Sequence, residues 1–588
     1  MTERIVNIIN FIRGIDERGD YDLVTPVVKE AELIRRFGFP ATWLLQYDAL
    51  VTGPYMDCLK RHHAPNIEYG IWLEMDRYLV EAAGLQWKGR LTWDYHANCA
   101  FSLGYTREER RRLCDEFVAA FARVFGHPPK VMGSWCFDAF TLQYLHERHG
   151  VIGACICKDQ QGTDGYTLRG GYFANAYYPS VRNAYMPAQT TTKQIPVPVF
   201  RMLGSDPLHQ YDCEQEDGFQ LVTSLEPVYK HAGGNPKWVD WFLKETFTRP
   251  ALAMAYAQMG QENSFSADQI FPALEMQFEK VKTLRDKNLL KIETLGESAS
   301  AFRSCHHLTP PTAVTTLSDW RTPESAGVWY LCRNYRLNLF QTPEGRLSVR
   351  SWNLFDENFP ERNESEPLRG PSCVLETLPL WDSFAWQGAF FGIHDSHGSI
   401  SAVEEVGAEE LSVRWQSSKD SCTWLMSPDG IRVTFDSDGS CLTMELTDVM
   451  DAEVILLSAK EIRLKYRGWT YRIVLSAGEL GHRGDTVVFQ PEQNLLEFHA
   501  ETAMQSHFND TFSRARGKSF QGKLTIKTSN KTIRQGKTSN YDSRSRRSAL
   551  LSPHRSGEGF SGHSAFCRGN RLQGRGTRRL LESHPPRV

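Results

Sequence analysis

Short apolar runs alternate with amphipathic stretches through the first 300 residues. The runs are IVNIINFI (5–12), ATWLLQYD (41–48), NIEYGIWLE (66–74), KVMGSWCFD (130–138), GVIGACICKD (150–159), IPVPVFRML (195–203) and ALAMAYAQM (251–259). Between them lie helical patterns. In 107–125, Leu113, Phe117, Val118, Phe121 and Phe125 recur at helical spacing behind a capping box of Thr106 and Glu109. A second box, Ser266 with Gln269, opens another helix. Strand–helix alternation predicts parallel strands, because each crossover helix returns the chain to the same edge. Seven such strands suit a (β/α) barrel or an open doubly wound sheet. RGGY at 169–172 is not a phosphate-binding glycine loop and opens no helix, so a dinucleotide site is not expected and the barrel is favoured.

The period changes to two beyond LTPPTAVTT (308–316). GVWYLCRNYRLNLFQTPEGRLSVRSWNLF reads strand, turn, strand, and SPDG (427–430) and DSDG (436–439) mark further turns. The expected architecture is a deformed (β/α) barrel over 1–305, a linker over 306–316 and a mostly antiparallel β-sandwich over 317–527. The last stretch, 528–588, is rich in Arg, Ser and Gly without periodicity, and reads as a basic disordered tail or as an out-of-frame end.

Composition narrows the function classes. The 588 residues carry 41% hydrophobic and 23% charged side chains, those of a soluble globular protein, and 15 Trp, 21 Tyr and 32 Phe suit sugar-gripping surfaces as well as large β domains. Residues 531–588 hold 13 Lys+Arg against 3 Asp+Glu, which leaves 54 against 67 in the remainder. So acidic a body argues against nucleic acid as a partner. The 13 cysteines include no CxxC pair, and His62-His63 and Cys305-His306-His307 lack zinc-site partners, so neither a disulfide framework nor a zinc cluster is expected. MTERIVNIINFIRG is not a signal peptide and no stretch approaches 18 apolar residues, so the expectation is a cytoplasmic protein without a membrane span.

In parallel α/β folds chemistry sits at the carboxyl ends of strands. Several runs end there in acids or amides: Gln46 and Asp48, Glu74, Asp138, Asp159, and Gln261-Glu262-Asn263. Alternation puts Glu68, Gly70, Trp72 and Glu74 on one face of the third run, with Glu74 at the mouth, and Tyr256, Gln258, Gly260 and Glu262 on one face of the seventh. Plainer roles stand beside these. Asp138 precedes a helical pattern and suits an N-cap, Asp159, Asp164 and Asp206 sit in turn-like segments, and Glu74 suits an ion pair with an arginine. Arg201, in an apolar run, needs a partner if buried and suits orienting a carboxylate.

The order of elements in 1–300 resembles the glycoside hydrolase/deacetylase β/α-barrel superfamily, which includes the NodB-like polysaccharide deacetylases and the family-57 and family-38 glycoside hydrolases. FGFPATWLLQYDAL looks like their second strand, IEYGIWLE like the deacetylase HEIGNHT segment, and VFGHPPKVMGSWCFDAFTLQYLHERHGV like the surroundings of the fourth strand. An uncharacterised bacterial family with this barrel-plus-β layout is also similar. The deacetylases hold a metal with one Asp and two His. The matching positions here read NFIR (10–13), with Asp16 the nearest acid, and Trp72-Leu73-Glu74-Met75-Asp76, which places such a site in doubt. The family-38 zinc ligands are absent too, so neither metal nor another cofactor is expected.

Trp135-Cys136-Phe137-Asp138-Ala139-Phe140 resembles the family-38 nucleophile context, and by family-57 analogy the fourth strand carries the nucleophile and the seventh the acid/base. The resemblance therefore implies a glycoside hydrolase with Asp138 as nucleophile and Glu262 as acid, with Glu74 the further catalytic candidate. Asp48, Gln46, Trp72, Trp135, Arg201, Gln261, Asn263 and His96 are expected to line an oligo- or polysaccharide, with Trp93 as a further ring face. His96 lies two residues from Asp94, but no GxSxG accompanies them, so a serine hydrolase is not expected. The alternatives are a deacetylase with an atypical metal site around Asp16, Asp48 and His96, and a sugar-binding protein that has lost catalysis.

Overall fold

The computed structural model describes residues 2–502 except 164, 211–222, 385, 387–388, 394–396 and 448–449, so the expected basic tail and the end of the β domain lie outside the described residues. The N-terminal sheet has seven parallel strands, β1 (Glu3–Ile12), β2 (Ala41–Leu45), β3 (Ile67–Trp72), β4 (Val131–Ser134), β5 (Gly153–Ile156), β6 (Val199–Arg201) and β7 (Met254–Met259), and the short segment Lys291–Glu293 also pairs in parallel with β1. Their order is β7-β1-β2-β3-β4-β5-β6, and Ala176–Tyr177 pairs antiparallel with β6. Asn175 bridges the gap between β6 and β7. Its carbonyl accepts the Arg201 N–H at 2.9 Å and its side-chain oxygen accepts the Tyr256 N–H at 3.0 Å. The result is a deformed barrel.

Helices pack outside it, among them α1 (Val24–Phe37), α2 (Arg107–Phe125), α3 (Ala139–His149), α4 (Pro236–Thr248) and α5 (Ala267–Asp286). The capping box of α2 is formed, its apolar stripe is buried from Leu113 to Phe121, and Gly126 ends it at φ 77°. A further helix, α6 (Leu295–Cys305), closes the amino-terminal end of the barrel. Its first amides meet inward side chains of two strands, with Leu295 N–H donating to Thr42 Oγ1 at 2.9 Å and Gly296 N–H to Glu68 at 3.0 Å. Those contacts fix which face of each strand points inward. From bottom to top they are Asn7, Ile9 and Phe11 on β1, continued by Arg13 just past it, Thr42 and Leu44 on β2, continued by Gln46, and Glu68, Gly70 and Trp72 on β3, continued by Glu74.

Apart from β1, which extends two residues ahead of its run, the observed strands are shorter than the apolar runs that predict them. Buried loop residues continue the hydrophobicity past the last ladder bond, as Cys136 and Phe137 do after β4. The expected linker is itself partly a strand, Thr312–Thr316, paired antiparallel with Ala326–Leu331. Beyond it two antiparallel sheets face each other as a sandwich, with Trp352 of one and Phe498 of the other at 5.5 Å between ring centroids. Alternating burial along Ser421–Ser427 and Gly430–Phe435 shows the period-two pattern. The described residues form one compact unit. No described helix is long and apolar enough to cross a membrane.

Candidate functional site

Arg13 stands at the centre of the barrel mouth, one residue past β1, and is 3% exposed. Its guanidinium donates twice to Glu74, Nε to Oε2 at 3.2 Å and Nη2 to Oε1 at 3.3 Å. Nη1 donates to Glu262 Oε2 at 2.6 Å. Ser264 Oγ donates to the other Glu262 oxygen at 2.7 Å. Burial alone would lower the proton affinity of Arg13, but Glu262 and Glu74 outweigh it and hold the guanidinium charged. Burial raises Glu74 against the opposing pull of Arg13, and the charge of Glu262 adds to the rise. The Trp93 ring faces two guanidinium groups, Arg13 at 4.1 Å and Arg18 at 4.7 Å from its centroid.

Asn263 joins β7 to the loop that carries Arg13. Its side chain accepts the Arg13 N–H and donates to the Arg13 carbonyl, both at 2.9 Å, and also donates to Leu23 O at 2.8 Å. Asn263 thus fixes a loop. Gln46 stands one residue past the Ile12–Leu45 pair of β1 and β2, which sets it between Arg13 and Trp72. Neither polar atom of Gln46 or Gln258 has a hydrogen-bond partner among the described residues, although both are buried, and the Gln261 side chain lies against Glu226, a carboxyl of the same mouth. Buried carboxamides without partners are the mark of a surface built for polar ligands or water.

Two groups that the sequence reading did not select complete the mouth. Glu226 comes from the segment between β6 and α4 and is 6% exposed. It accepts from Ser224 Oγ at 2.8 Å. Burial pushes its carboxyl up to about 7; Ser224 and the charge of Lys158 oppose this, and Glu262 adds to it. Lys158, just past β5, is buried and donates to Gln210 at 3.0 Å.

The remaining candidates are placed elsewhere. Asp138 caps α3, and its acceptor positions are filled by Thr141 N–H at 2.9 Å, Thr141 Oγ1 at 2.6 Å, Ser102 Oγ at 2.5 Å and Arg110 Nη1 at 2.9 Å. Asp138 and Glu262 are therefore held by different arginines. Asp48 accepts the Gly14 and Ile15 amides at 2.9 and 2.8 Å and so shapes the loop of Arg13; burial pushes it up to about 6. Arg201 pairs with Asp159 at 2.9 Å, and His96 with Asp94 at 3.0 Å. Trp72 stacks on Phe11 at 4.2 Å in the core, while half-buried Trp135 stands edge-on to both.

The metal that the deacetylase resemblance implies does not fit these residues. At the matching position after β1 a guanidinium already bridges Glu74 and Glu262. Asp16 is turned to Arg18, Asp48 to backbone amides and His96 to Asp94. No three His, Cys, Asp or Glu side chains converge as a metal site among the described residues.

No family model matches the chain. No curated protein matches it in sequence. Solved structures do. A candidate glycoside hydrolase/deacetylase from Parabacteroides distasonis aligns over 66% of this chain and 92% of its own, at TM-score 0.50 and 15% identity. Candidate polysaccharide deacetylases from Mycobacterium smegmatis and Pseudomonas aeruginosa PAO1 align over 53% and 52% of this chain and 93% and 92% of theirs. Their TM-scores are 0.32 and 0.33, each at 12% identity. The first likeness is one of fold.

Proposed function

We propose that this protein is a carbohydrate-active hydrolase that removes acyl substituents by acid–base catalysis from glutamates. The observation that carries the reading is the buried group at the barrel mouth. One carboxylate, Glu262, is paired with Arg13, and a second carboxyl, Glu226, holds its proton to about pH 7. Glu262, the more exposed carboxylate of the Arg13 pair, is the base toward an attacking water. Glu226 is the acid toward the leaving oxygen or nitrogen. Arg13 and Lys158 bring positive charge to where an oxyanion develops. Glu74 locks Arg13 in place through its two hydrogen bonds.

The same charges separate this reading from glycosidic cleavage. An acyl transition state is anionic at the carbonyl oxygen, whereas a glycosidic one is oxocarbenium-like and cationic. A guanidinium between the carboxylates favours the first and opposes the second. The expected nucleophile of the glycosidase reading, Asp138, already has its acceptor positions filled. The Glu226–Glu262 carboxyl pair is the feature that favours glycosidic cleavage, and the products distinguish the two reactions. Glu262→Gln and Glu226→Gln are each expected to lower turnover at least ~100-fold. Asp138→Asn is expected to keep turnover within about threefold while losing about 3 kcal/mol of stability, because Arg110 is left buried without its partner. Steady-state kinetics with thermal melts check this. Loss of turnover in Asp138→Asn with an unchanged melt returns the nucleophile to Asp138.

A further inference from the structure

We infer that Arg336, a residue of the β region, is a positioning residue of the barrel site, acting through Asp159 and Gln210 on Lys158. The inference rests on the proposed role of the mouth glutamates. Arg336 lies on the strand Tyr335–Gln341 and is 0% exposed. Its Nη1 donates to Asp159 Oδ2 at 2.6 Å and to Gly171 O at 3.0 Å, and its Nε donates to Ser351 Oγ at 3.1 Å and Asn353 Oδ1 at 3.2 Å. The guanidinium lies 5.4 Å from the Trp329 ring centroid. RGGY makes this approach possible. Gly170 adopts φ 78°, and a Cβ there would stand 2.4 Å from Asn353 Nδ2.

Asp159 is a buried junction. Its other oxygen accepts from Arg201 at 2.9 Å, and Tyr185 OH donates to it as well. A buried carboxylate held by two guanidinium groups has little freedom to move. Its backbone carbonyl accepts from Gln210 Nε2 at 2.6 Å, and Gln210 Oε1 in turn accepts from Lys158 Nζ at 3.0 Å. One of the contacts that hold the Lys158 ammonium is therefore a chain that ends in the β region. The charged groups that act most strongly on Glu226 are Lys158, which favours its anion, and Glu262, which opposes it. A displaced Lys158 leaves Glu226 with the anion of Glu262 and without the opposing cation, so Glu226 binds its proton more tightly.

The test follows the Glu226 carboxyl directly and needs no substrate. Its infrared C=O band is identified by its loss in Glu226→Gln, then titrated in the full-length wild type, Arg336→Met, Arg336→Lys and Gln210→Leu. The expected result is a midpoint near 7 in the wild type. A rise of about one unit is expected in Arg336→Met and Gln210→Leu, with partial return in Arg336→Lys. Unchanged midpoints in folded Arg336→Met and Gln210→Leu overturn the inference. If Arg336→Met does not fold, Gln210→Leu decides alone by the same shift. A shifted midpoint in a protein that turns over no carbohydrate upholds the positioning role and defeats the functional reading.

Discussion

A single guanidinium facing two buried carboxylates sets the electrostatics of the mouth, and Glu226 sets its pH response. In the folded chain Glu226 holds its proton to about 7, against an ordinary value of 4.5. The folded state therefore binds more protons than the unfolded chain between those limits. The stability this group contributes is fully present below pH 4.5 and is lost as pH rises through 7. At about 1.4 kcal/mol per unit the loss is about 3 kcal/mol. Urea unfolding of the wild type and Glu226→Gln from pH 4 to 9 is expected to show that difference opening between pH 4.5 and 7 and constant above. A difference that does not vary with pH contradicts the assignment. Glu74 and Glu262 are legible in the sequence because each ends an apolar run with a carboxylate. Glu226 is not, since it lies in a segment with no period. Lys158 is hidden in a turn-like string, yet it comes just after Cys157 at the end of a wholly buried apolar run, and that is the available signal. Asp138 shows why one motif supports two readings. An acid before a helix looks the same whether it caps or reacts.

Among the elements, β7 carries the feature on which the site geometry depends. Gly260 follows it at φ 110°, and a Cβ there would lie 2.0 Å from Ile9 O and 2.6 Å from Asn10 Oδ1. This glycine lets the chain turn tightly against β1 and deliver Gln261, Glu262 and Asn263 to the loop of Arg13. Gly260→Ala is expected to cost about 3 kcal/mol or more from backbone strain and overlap combined. The urea midpoint measures it, and a change below about 1 kcal/mol contradicts this account of the turn. The elements themselves were largely legible, because period and capping fixed seven strands and the principal helices. Strand ends were not, because loop residues buried by the tertiary fold extend the apolar runs. Nor was α6, whose plugging role depends on contacts with Thr42 and Glu68 more than 200 residues away.

Across the whole molecule the barrel and the β region share a buried joint. Arg336 reaches Asp159, Glu361 accepts the Ala139 amide at the start of α3, and Glu405 accepts the Ala251 and Leu252 amides ahead of β7. Phe173 stacks on Trp329 at 3.8 Å, and Cys373–Glu376 pairs in parallel with Tyr166–Arg169. Period alone separates these two regions, and nothing in it announces the joint. Calorimetry is expected to show one cooperative transition for both, with calorimetric and van't Hoff enthalpies in agreement; two resolved transitions contradict a shared core. The central claim is acyl hydrolysis at a mouth whose cations are Arg13 and Lys158, and product analysis on an acetylated oligosaccharide, with and without a chelator, tests it most directly. The account predicts free acetate at a rate unchanged by chelation and abolished in Glu262→Gln. New reducing ends without acetate, or activity that disappears with the chelator, would contradict it.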